Sequence, residues 1–125
     1  MGVTTNKTER FAKDLANRFS GLAPVLAEHM QDNFGALLPH VFLGDVTRWV
    51  VGLVTASKAE AILRNRPELT SILRYLEDSY ASGDVELQEL ISVSFLELLP
   101  RPGESGAEIR HMVGPALSAQ LKVIG

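Results

Sequence analysis

The sequence predicts an all-α fold, a single-domain helical bundle or a HEAT-like stack of antiparallel helix pairs. Three observations lead there. Apolar residues recur at helical spacing in segment after segment, Gly and Pro punctuate those segments at short intervals, and no stretch alternates with the period of two that a half-buried strand shows. The 125 residues are 46% hydrophobic and 22% charged, ordinary usage for a globular chain. A chain of this length buries roughly two-thirds of the surface it exposes when unfolded, so a single helical domain over 1–125, built on one core, is expected. Residues 1–6 are expected to lie outside it, disordered.

The elements follow in order. Residues 8–20 place Phe11, Leu15 and Phe19 four apart, with Gly21 as the stop. Residues 23–34 carry Pro24 in the first turn and Val25, Leu26, Met30 and Phe34 on one face, ahead of Gly35. The run 40–55 is apolar on nearly every side, which marks a central helix; its β-branched residues make a buried strand the competing reading. A short helix over 57–66 is expected to end at Pro67, and 68–82 then repeats Leu69, Ile72, Leu73, Leu76 and Tyr80. Asp84 is suited to cap a mostly buried helix over 85–99, with Leu87, Leu90, Ile91, Phe95 and Leu98 on its inner face and Val93, Leu96 and Leu99 beside them. PRPGESG at 100–106 is a loop, and Gly114-Pro115 should split a last helix over 107–123.

Several classes of function find no support. There is no cysteine, hence no disulfide or thiolate metal cage, and no signal-peptide h-region or bilayer-length apolar run; a cytoplasmic protein is expected. His29, His40 and His111 stand in separate segments and form no metal-ligand pattern. No nucleophile-elbow, phosphate-loop or dinucleotide motif occurs, so no catalytic residue, metal or cofactor is assigned. With a net charge of −3 and scattered basic residues, direct nucleic-acid binding is not expected.

Two groups of polar residues stand out. Asp45, Arg48 and Glu97 lie on the two helices expected to be most buried, where an uncompensated charge is costly, so they are predicted to form an internal polar network or line a pocket. The second group reflects uneven charge. Residues 1–66 carry eight basic and six acidic groups, 67–108 two basic and nine acidic, and 109–125 two basic. Glu77, Asp78, Asp84, Glu86 and Glu89 crowd the turn between two helices, and Tyr75 lies about 120° from the apolar face of its helix. An aromatic residue beside concentrated acids is the composition of a docking site for a basic protein. These six residues are the predicted partner surface.

The stretches LLPHVFLGDVTRW at 37–49, LRYLEDSYASGDVELQELISVSFLELL at 73–99 and MVGPAL at 112–117 resemble a family of small, uncharacterised bacterial helical proteins. Its broad class is similar to the immunity proteins of polymorphic and contact-dependent toxin systems. The likeness rests on helix order, Gly44-Asp45, Ser82-Gly83-Asp84 and Glu97. It implies neutralisation of a toxin by direct binding and brings no catalytic residue with it. The alternatives are a structural or regulatory interaction module and, more remotely, a small-molecule or metal-dependent enzyme with a site between helices. The sequence leaves the oligomeric state open.

Overall fold

The computed structural model describes residues 7–55 and 59–124, with the backbone alone over 59–66; the expectation for 1–6 lies outside the described residues. Among the described residues six α-helices follow one another: α1 Lys7–Arg18, α2 Ala23–Asp32, α3 Pro39–Thr55, α4 Ala59–Ala81, α5 Val85–Ser94 and α6 Pro115–Ile124. Short 3-10 turns occupy Ser20–Leu22, Leu96–Leu98 and Ala107–His111, and the described residues contain no strand. The fold is all-α, as the periodicity predicts.

One core joins the helices. Phe11 and Leu15 of α1, Phe42, Val46 and Val50 of α3, Ile72 and Leu76 of α4, Leu90 and Ile91 of α5 and Leu117 of α6 are buried together. α3 packs on α1, α2, α4 and α5, which gives it the central place its composition requires. α1 also packs on α5, a partner remote in sequence. Contacts of that kind make the arrangement a bundle rather than a stack, in which each unit touches only its neighbours.

Three local expectations change. Pro67 does not end a helix: α4 runs through it. Pro67 is exposed, on the solvent side where a missing hydrogen bond is tolerated, and burial of Leu69, Ile72, Leu73 and Leu76 outweighs the local penalty. α5 stops at Ser94 instead of 99 because Phe95 leaves helical geometry at φ −125° and ψ −63°. The following 3-10 turn buries Leu96 and, beyond it, Leu99, while Val93 and Leu98 are left exposed. α2 ends at Asp32, and Phe34, assigned from the sequence to its apolar face, is fully exposed with φ 55°. Gly114-Pro115 does separate a 3-10 turn from α6, as expected.

Candidate functional site: an acidic cleft and an acidic edge

The predicted buried network of Asp45, Arg48 and Glu97 does not form. Arg48 pairs with Asp45 across one helical turn, but its side chain is 68% exposed. The pair lies on the outward stripe of α3, which α2 covers only in part. Glu97 is exposed on the 3-10 turn after α5, because the early end of that helix rotates the position away from the core. Glu97 lines a different cavity from Asp45 and Arg48, so the three residues do not converge.

Asp45 and Arg48, paired at i, i+3, do flank a cleft, without Glu97: it holds about 210 Å³ between α2 and α3, with Val25, Glu28, Asp32 and Trp49 as its other walls. Behind it sits His29, 1% exposed. Its Nε2 accepts a hydrogen bond from the Leu38 backbone N–H at 3.0 Å, and its Nδ1 lies 3.2 Å from Asn33 Nδ2. Nδ1 faces Asp45 Oδ2 at 3.4 Å. Asn33 donates from Nδ2 to the His29 carbonyl oxygen at 2.7 Å, and the ring meets Phe42 edge-on, with centroids 5.6 Å apart. His29 therefore ties the α2–α3 connection to both helices. The cleft has three carboxylates, one guanidinium and an indole, an environment that favours a cation. Among the described residues, no group of three or more His, Asp or Glu is placed to hold a metal ion. His40 bonds to Ser94 Oγ at 2.7 Å and His111 lies near α6, so the three histidines remain apart.

The predicted partner surface divides in two. Tyr75 is half-buried: its ring stacks on Phe11 at 5.6 Å, meets Phe19 edge-on at 6.0 Å and lies under the Arg18 guanidinium at 4.9 Å. Tyr75 thus flanks the surface, as its place about 120° from the apolar face predicts, with its ring held by Phe11, Arg18 and Phe19. Glu77 turns toward α6, where its carboxylate accepts hydrogen bonds from the Ala116 and Leu117 N–H groups at 2.9 and 3.0 Å. Asp84 is the N-cap of α5, accepting from Leu87 N–H at 3.1 Å, and it also pairs with Lys7 at 2.5 Å. Asp78, Glu86 and Glu89 are exposed and make no ion pair with another described residue. They form the acidic edge that remains.

The Lys7 ammonium and the Leu87 N–H hold the Asp84 carboxyl below its ordinary 3.8, and the same pairing raises Lys7 above 10.5. A depressed carboxyl stabilises the fold above its unfolded value, and that contribution is lost as pH falls through the folded one. For Lys7 the contribution is present below 10.5 and lost as pH rises beyond it. The melting-temperature gap between wild type and Asp84→Asn, which keeps a capping side chain, is therefore expected to be constant at neutral pH and to close below 3.8. A gap unchanged down to pH about 2 would mean that the charge of Asp84 contributes nothing.

The class defined by this geometry is a small six-helix bundle with carboxylates concentrated on its surface. No helix among the described residues is long and apolar enough to cross a membrane. Residues 12–123 match the family model of the domain of unknown function DUF7674, and the chain belongs to that family. No curated protein and no solved structure matches it.

Proposed function

We propose that the chain is a cytoplasmic protein-binding domain that recognises a basic partner, and that it acts as an immunity-type inhibitor neutralising a cognate bacterial toxin by direct binding. The observation that supports this reading is the acidic edge. Within a segment holding nine acidic and two basic residues, Asp78, Glu86 and Glu89 stand exposed on either side of the α4–α5 turn. Carboxylates exposed together at one rim, with no ion pair among the described residues, raise the association rate of an oppositely charged protein. The resemblance noted above supplies the class of partner.

The test pairs the chain with a candidate toxin domain, sought first among the genes that neighbour its own. The toxin's growth arrest should be relieved when wild-type chain is co-expressed. The combined substitution Asp78→Lys, Glu86→Lys and Glu89→Lys should slow association of the purified pair at least tenfold at low salt and flatten its salt dependence, with little change in dissociation. Unchanged association across a salt series would remove the acidic edge from the interface, and growth arrest that persists with wild-type chain would remove the inhibitor reading.

A further inference from the structure

Two features on different parts of the bundle are complementary to each other. The first is a knob. α2 ends in a Schellman-type turn, in which the Gly35 N–H donates to the Met30 carbonyl oxygen at 2.7 Å, and the left-handed position that glycine usually fills is occupied by Phe34 at φ 55°. The ring is 100% exposed, and Leu38 and Val41 across the turn are exposed at 42% and 45%. Asp32 lies two residues before Phe34, and Glu28 one helical turn earlier, so the knob has an acidic flank. A bulky residue on left-handed backbone with its whole side chain in water is an outlier that packing within the chain does not explain.

The second feature is a socket. Leu96, Leu99, Leu121 and Ile124 line a cavity of about 290 Å³ whose walls also carry Arg101, Arg110 and Glu97. It is a depression open to solvent, in which Ile124 is 38% exposed and Leu96, Leu99 and Leu121 lie nearly covered. Arg110 is held by a hydrogen bond from its Nη1 to the Pro100 carbonyl oxygen at 3.2 Å. Neither arginine is ion-paired with a described residue. Lys122 lines the adjoining depression with Arg110, so three basic groups stand here beside two acids, Glu97 and Glu104, the latter accepting from the Arg101 N–H at 2.6 Å. Phe34 is not among the residues that line this cavity.

We propose that Phe34 of one copy inserts into this cavity on a second copy, with Asp32 and Glu28 meeting Arg101 and Arg110. Knob and socket share no residue, so each copy carries both: two copies close as a two-fold dimer where the contacts reciprocate and run head to tail where they do not. It uses none of Asp78, Glu86 and Glu89, so the acidic edge can fail its test while this contact stands, and the reverse.

Sedimentation velocity at low salt tests it with the full chain alone. Wild type should form species heavier than its 13.6 kDa monomer, in growing proportion as concentration rises and in lower proportion as salt is added. Phe34→Gly should weaken association at least tenfold while melting no lower than wild type, because glycine suits the left-handed turn. Combined Arg101→Gln and Arg110→Gln should weaken it similarly, with unchanged melting as the check on folding. Mixing the two variants is decisive: one keeps the socket and the other the knob, so a 1:1 dimer should appear that neither forms alone. Wild type that stays monomeric to about 1 mM overturns the proposal. So does association indifferent to Phe34→Gly, or a mixture that gives no 1:1 dimer, the result expected if Phe34 met its own counterpart or another protein.

Discussion

Glu77→Ala is expected to lower stability by about 3 kcal/mol, the larger share of it at the start of α6. The carboxylate accepts two backbone N–H groups there, at 2.9 and 3.0 Å, and hydrogen bonds to a charged group contribute ~1.5–3 kcal/mol each net of water, at the low end for a half-buried group. It also sits at the positive end of the α6 dipole. The place is kept open for it: a β-carbon at Gly114 would come within 2.5 Å of Glu77 Cδ. Gly114→Ala should therefore destabilise the chain by the same route but by less, since Glu77 can swing partly aside. Chemical denaturation of both variants, with hydrogen exchange at Ala116 and Leu117, checks this. Wild-type stability in Glu77→Ala would show that water caps α6 as well as the carboxylate does.

His29→Leu is expected to cost a comparable ~2–4 kcal/mol. The substitution keeps apolar bulk but leaves the Leu38 N–H without its acceptor, a loss of ~1–3 kcal/mol. It also removes the edge-on contact with Phe42, worth ~0.5–1.5 kcal/mol. The damage should be greatest at the α2–α3 connection, where exchange of the Leu38 amide should accelerate more than that of buried amides in α5. His29→Gln should recover part of the loss, because its amide oxygen can accept from Leu38. Equal stability of the leucine and glutamine variants would mean that the ring serves only as bulk.

Much of the fold was legible in local pattern, because helix faces and caps are written within a few residues of one another. The Asp84 cap is an example: an acid immediately before an apolar helical run, with its acceptor contact to Leu87 only three residues on. The apolar period of 68–82 likewise announced which side of α4 is buried, and Gly114-Pro115 announced the break before α6. The site was less legible. Tyr75, Glu77 and Asp84 share the composition of a docking surface with Asp78, Glu86 and Glu89, yet each of the first three has a structural partner. No spacing rule reveals that Glu77 reaches Ala116 across 39 residues or that Phe11 stacks on Tyr75.

What the sequence by itself determined is the helical class, the number of main segments to within the Pro67 junction, most of the core, and the concentration of acidic charge in 67–108. These are properties of period and composition, which act locally or sum over a segment. Tertiary structure alone decided that α4 continues through Pro67, that Phe34 leaves α2 for a left-handed exposed position, and that Glu97 turns away from Asp45 and Arg48. In each case the deciding energy is burial or exposure against a distant element. A side chain three residues from a helix end points inward or outward according to where that helix stops, and at α2 and α5 the stop is set by the packing of the whole bundle.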